Sequence, residues 1–121
     1  DNHIDYCGSI EQAIERAAAY VIDKKPGLKI EVETRNLDEV KRVVAMAKGK
    51  VFRIMLDNFN PEQIAEALQY TGTDFETEAS GGINLDNIEE YAKTGVDYVS
   101  VGALIHQAKS LDLSLKAVPL P

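Results

Sequence analysis

The sequence predicts an α/β fold: consecutive βα units forming part of an incomplete TIM-like α/β barrel, with parallel strands inside and helices outside. Three observations carry this. Short β-like runs alternate with helical runs in the order βαβα, the signature of a parallel sheet with crossover helices. Asn36, Asn60 and Asn84 recur at a spacing of 24 residues, in the contexts NLDEV, NPEQI and NLDNI. Each reads as a helix start with an amide cap, an acid in the first turn and an apolar staple position. The strands also alternate polar with apolar residues, whereas parallel strands buried on both faces run almost wholly apolar. A closed eight-fold barrel needs about 250 residues, so 121 residues hold roughly half of one.

The elements follow in order. DNHI (1–4) reads as the tail of a strand. Ser9 to about Asp23 is a helix, with capping-box spacing between Ser9 and Gln12 and a stop at Pro26-Gly27. Leu28 to Thr34 is a strand. Asn36 to Lys48 is a helix that Asn36 caps and Gly49 ends. Val51 to Leu56 is a strand. Asn60 caps the next helix, Pro61 takes its first position, and Gly72 follows its end. Asp74 to Ala79 is a strand, and Asn84 caps a helix that stops at Gly95. Asp97 to Val101 is a strand. A short helix from about Ala103 and an apolar run from Leu111 to Val118 complete the chain.

Strand alternation assigns faces. Lys29, Glu31 and Glu33 share one face of their strand, opposite Leu28, Ile30 and Val32. Arg53, Met55 and Asp57 align opposite Phe52, Ile54 and Leu56. Asp74, Glu76, Glu78 and Ser80 align opposite Phe75 and Ala79. Helices must cover the apolar face, so the polar face looks into the barrel. The expectation is a buried or half-buried ion-pair network there, with Lys29 and Arg53 pairing with Glu31 or Glu76.

Composition narrows the function classes. Apolar residues make up 45% and charged residues 27%, which fits a globular protein and not a disordered one. No apolar run approaches the length of a membrane span. The start of the chain lacks the basic and apolar pattern of a signal peptide. One cysteine, Cys7, excludes an intrachain disulfide framework and fits a reducing cytoplasm. The net charge of −7, from 20 acidic and 13 basic residues, disfavours nucleic-acid binding. It also makes the chain a poor lone host for a highly anionic ligand.

In βα barrels the working residues cluster at the carboxyl ends of the strands. Those ends are Asp1, Asn2 and His3; Glu33; Asp57 and Asn58; Glu78, Ser80, Gly81 and Gly82; and Gly102. Four consecutive strands thus end in carboxylates, a pattern suited to a hard cation or to sugar hydroxyls. Polar βα loops and acids at helix starts would produce part of the same pattern. Ser80-Gly81-Gly82 follows a strand and precedes a helix, where backbone amides can approach a phosphate closely. Val101-Gly102-Ala103 is a second glycine turn on the next strand, and paired turns there match the barrel phosphate site. His106 reads as a capping or surface residue, and Cys7 as a small buried one. Two histidines and one cysteine at this spacing do not make a zinc site.

Together these stretches resemble the quinolinate phosphoribosyltransferases, also called carboxylating nicotinate-nucleotide pyrophosphorylases. The resemblance runs through DNHI (1–4), KIEVET (29–34), MLDNFNPEQI (55–64), EASGGINLDNI (78–88), TGVDYVSVGALIH (94–106) and LDLSL (111–115). It implies transfer of phosphoribosyl from phosphoribosyl pyrophosphate to quinolinate with decarboxylation, magnesium accompanying the donor. The products are nicotinate mononucleotide, pyrophosphate and CO2, in NAD biosynthesis. Glu33 and Asp57 then look like the carboxylates that hold the ribose hydroxyls and magnesium. Ser80, Gly81 and Gly82 look like the first phosphate turn, and Val101, Gly102 and Ala103 the second.

The resemblance further implies that residues 1–121 are the C-terminal part of the barrel domain. The family's basic substrate-binding residues are not in this chain, including the lysine that directly precedes DNH. The chain alone is therefore expected to be inactive. A cytoplasmic homodimer, with an N-terminal domain closing the neighbour's barrel, is the implied assembly. Two other readings stand beside this one: a truncated or designed βα-repeat fragment without activity, and another barrel enzyme of phosphorylated substrates.

Overall fold

A computed structural model describes residues 2–3, 9–24, 26–102 and 104–110. Asp1, Cys7, Ala103 and the expected apolar run 111–118 lie outside these. The described elements are β1 (Asn2–His3), α1 (Ile10–Lys24), β2 (Ile30–Thr34), α2 (Leu37–Met46), β3 (Arg53–Asp57), α3 (Pro61–Thr71), β4 (Glu76–Ser80), α4 (Ile88–Ala92), β5 (Tyr98–Val101) and β6 (Leu104–Gln107), followed by a 3₁₀ turn, Ala108–Ser110.

The strands lie side by side in chain order, β1-β2-β3-β4-β5-β6. The first four pairings are parallel. A doubly wound sheet would reverse its order at a switch point; sequential winding is what consecutive barrel units produce. The apolar faces point to the helices as expected. Val32, Ile54, Leu56, Ala79 and Val99 are fully buried, together with Ile14, Val40, Val43 and Ile64 from the helices.

The caps explain where the helices start. Asn36 accepts a hydrogen bond from the Glu39 amide at 2.8 Å. Asn60 and Gln63 form a reciprocal capping box, each side chain accepting from the other's backbone amide at 2.8 Å, with Pro61 in the first helical position. Ser9 accepts from the Gln12 amide at 3.1 Å.

Two expectations fail. Asn84 does not cap a helix running to Gly95. Its side chain accepts from the Asp86 and Asn87 amides at 2.9 and 3.2 Å, while Asn87 accepts from the Asn84 amide at 2.8 Å. These local bonds hold a turn, and helix proper spans only Ile88–Ala92. The short helix expected from about Ala103 is instead β6. It pairs antiparallel with β5, Ser100 opposite Ile105 and Val99 opposite His106. The cause is the exposed edge of β5: its backbone groups need partners, and Gly102 at φ 63° reverses the chain onto them.

Candidate functional site

The strand register sorts the inner face into rows. Glu31, Arg53 and Glu76 are in register across β2, β3 and β4. One step further along, Glu33, Met55, Glu78 and Tyr98 form the next row. Asp57 and Ser80 make the rim above it.

The lower rows contain the expected network. Arg53 reaches Glu76 at 2.9 Å and Glu78 at 3.4 Å. The Ser100 hydroxyl donates to the second Glu78 oxygen at 3.0 Å. Tyr98 lies under the guanidinium, 4.2 Å from ring centroid to carbon. Burial opposes the charge on Arg53, but the Glu76 hydrogen bond and the charges of Glu31, Glu76 and Glu78 outweigh it and raise its pKa. Glu31 and Glu78 are buried at 4% and 0% exposure. Burial pushes Glu31 up to about 7, helped by the charge and hydrogen bond of Glu78 and opposed by Arg53. The other expected cation, Lys29, sits just before β2 with its ammonium 4.1 Å over the Phe52 ring.

The rim is built differently. Glu33 and Asp57 are half-buried at the ends of adjoining strands. Asp57 Oδ1 accepts from the Ser80 hydroxyl at 3.2 Å. The Asn58 amide donates to the Ser80 carbonyl at 2.7 Å, so the ends of β3 and β4 are stitched together. Asn58 pays for that position with a left-handed φ of 64°. Gly81 and Gly82 follow at φ 89° and 71°. A Cβ on Gly81 would sit 3.0 Å from the Asn58 nitrogen and 3.1 Å from Asp57 Oδ1, so only glycine fits. Consecutive left-handed glycines at a strand end leave their amides free to face an anion.

A family model described as "Quinolinate phosphoribosyl transferase, C-terminal domain" matches residues 1–116. The chain belongs to that family. A probable carboxylating nicotinate-nucleotide pyrophosphorylase of Methanocaldococcus jannaschii is 46% identical over 98% of the chain and 42% of its own length. The chloroplastic enzyme of that name from Arabidopsis thaliana is 38% identical over 96% of the chain and 37% of its length. A solved NadC structure from Streptococcus pyogenes superposes with a TM-score of 0.68 at 35% identity, covering 79% of this chain and 32% of that one. The chain thus spans about two-fifths of the curated relatives' length.

Of the residues expected to act in this family's chemistry, the structure gathers Glu33, Asp57, Ser80, Gly81 and Gly82 at one end of β2, β3 and β4. Val101 and Gly102 end the next strand, where Gly102 forms the hairpin turn into β6; Ala103 lies outside the described residues. His106 is half-buried on β6, opposite Val99. Sequence reasoning did not single out Ser100, whose hydroxyl holds Glu78, because a lone serine inside DYVSV carries no signal for that contact. It placed Asn58 at a strand end but not in its left-handed conformation. A cavity of about 770 Å³ lies at the opposite strand ends, lined by residues such as Lys29, Lys50, Asp74 and Asp97. It is remote from the rim and takes no part in this site.

Proposed function

We propose that this chain supplies the phosphoribosyl-donor half of a quinolinate phosphoribosyltransferase. The observation that carries the reading is the convergence of Glu33, Asp57 and the Ser80–Gly82 turn on one rim, in a chain of this family. The relatives are named for carboxylating nicotinate-nucleotide pyrophosphorylase activity. The whole reaction is then phosphoribosyl transfer from phosphoribosyl pyrophosphate to quinolinate, releasing pyrophosphate and CO2.

The rim's own chemistry supports each role. Ser80, Gly81 and Gly82 present a hydroxyl and amides to the 5′-phosphate, with Val101–Ala103 as the second turn. Glu33 and Asp57 accept hydrogen bonds from ribose hydroxyls. Their negative charge favours the positive charge that develops at ribose C1 as pyrophosphate leaves. The same two carboxylates are hard oxygen donors and fit magnesium. Among the described residues no group of three or more metal-ligating side chains is assembled. Two carboxylates plus substrate oxygens and water is the usual magnesium arrangement. When bound with the donor, the ion neutralises pyrophosphate charge.

The dicarboxylate acceptor needs several cations, and among the described residues Arg35 is the basic side chain that follows directly on the rim end of β2. Residues 1–121 therefore act as the C-terminal part of a barrel domain. An N-terminal domain, contributed across a homodimer, completes the site, and the complete protein works in the cytoplasm. Among the described residues no helix is long and apolar enough to cross a membrane.

Assaying nicotinate mononucleotide formation in the complete protein tests this. Glu33→Gln and Asp57→Asn should each lower turnover about 100-fold while folding is retained. The 121-residue chain alone should give no product. Full activity in both variants, or turnover by the isolated chain, would overturn the reading.

A further inference from the structure

Among the described residues, the inner face of β2–β4 holds more negative charge than the Arg53 guanidinium can match. Glu31, Glu76 and Glu78 surround Arg53, which bonds to the last two. Glu78 is satisfied twice, by Arg53 and by the Ser100 hydroxyl. Glu31 is not. It is 4% exposed, and its Oε1 has no hydrogen-bond partner. Its near neighbour across β3 is another buried carboxyl, Glu78, which shares a hydrogen bond with Glu31 when one of the two is protonated and repels it when both are charged. Buried carboxylates are ordinarily paired with a cation or fully hydrogen-bonded, and an orphaned one is costly.

We propose that Glu31 is the receptor for one basic side chain, an arginine or lysine presented by polypeptide that packs against the inner face of β2–β4. A second copy of this chain is excluded as the occupant by charge, since it would bring the same acidic face. A donor-rich basic side chain matches the ionised Glu31 carboxylate, whose oxygens only accept, and would hold it in that form. The relatives carry more than half their length outside the matched region, so such polypeptide exists in this family. The site is separate from the rim: Glu31 lies in the row below Glu33, toward the start of the strands.

Thermal melting of the complete protein at pH 8 tests the proposal. Glu31→Gln keeps the shape and removes the charge, so it strands the partner cation and should lower the midpoint by several degrees. Glu62→Gln, on the exposed face of α3, should leave the midpoint unchanged. An unchanged or raised midpoint in Glu31→Gln would overturn the proposal, because removing a buried charge with no cation beside it relieves repulsion. So would a rise in the native midpoint with magnesium chloride that Glu31→Gln abolishes.

Discussion

Two sets of carboxylates on one sheet face meet opposite fates. Glu76 and Glu78 are drawn inward and tied to Arg53, with Glu31 buried beside them. Glu33 and Asp57, toward the carboxyl ends of β2 and β3, remain half-buried at the rim. Side-chain chemistry is identical in the two sets. The reach of Arg53 decides between them: Glu31, Glu76 and Glu78 lie within its charge, while Glu33 and Asp57 lie toward the ends of β2 and β3, beside the glycine turn. A carboxylate beside Arg53 acts on the stability of the sheet, and one at the strand ends lines the rim.

The sharpest way to break this contrast is Arg53→Met. It leaves three acidic side chains without their cation, and loss of one partner of a buried pair costs about 3–5 kcal/mol. Urea unfolding at pH 8 should show it, whereas Asp57→Asn should leave the midpoint nearly unchanged. Similar losses in both would erase the distinction between the two sets.

Glu31 gives a pH signature. Its folded pKa, about 7, lies above the usual 4.5, so the folded state holds this proton more tightly. The contribution is fully present below pH 4.5 and is lost as pH rises to about 7. Glu31→Gln should flatten the stability profile across that window. A profile identical to the native one would show that another group titrates there.

Smaller effects separate the rim from the helix starts. Gly81→Ala must adopt a left-handed φ with a Cβ 3.0 Å from the Asn58 nitrogen, costing about 1–3 kcal/mol. Weaker binding of phosphoribosyl pyrophosphate should accompany it in the complete protein, measured by calorimetry. Asn60→Ala removes a reciprocal cap and should cost about 1 kcal/mol in thermal unfolding, with no change in binding. Asn84→Ala should cost less than Asn60→Ala, because Asn84 holds a turn rather than a helix.

Much of this was legible before any coordinates. Period-two alternation in KIEVET and VFRIMLD assigned both faces of the sheet, and Asn36 and Asn60 marked their helices. Arg53 with Glu76 followed from the same alternation. What escaped has physical reasons. Lys29 lies outside the ladder of β2, and a neighbouring aromatic ring competes for its charge. The contact of Glu31 with Glu78 spans two strand spacings, which no local pattern encodes. β6 depends on an exposed strand edge, a tertiary circumstance, while ALIHQ alone reads as helix. The rim was visible as a list of strand ends, but the close approach that demands Gly81 arises only when β3 and β4 pair.

Sequential winding has a kinetic consequence. Each parallel strand from β3 onward pairs with one about two dozen residues earlier, so loop closure is short throughout and folding is favoured over long-range sheets. A chain emerging from the ribosome can add one βα unit at a time, never waiting for a distant segment. Each addition also leaves a fresh edge bare until the next strand arrives. The hairpin of β5 and β6 shows how such an edge is quenched when the nearest available segment is the one that follows it.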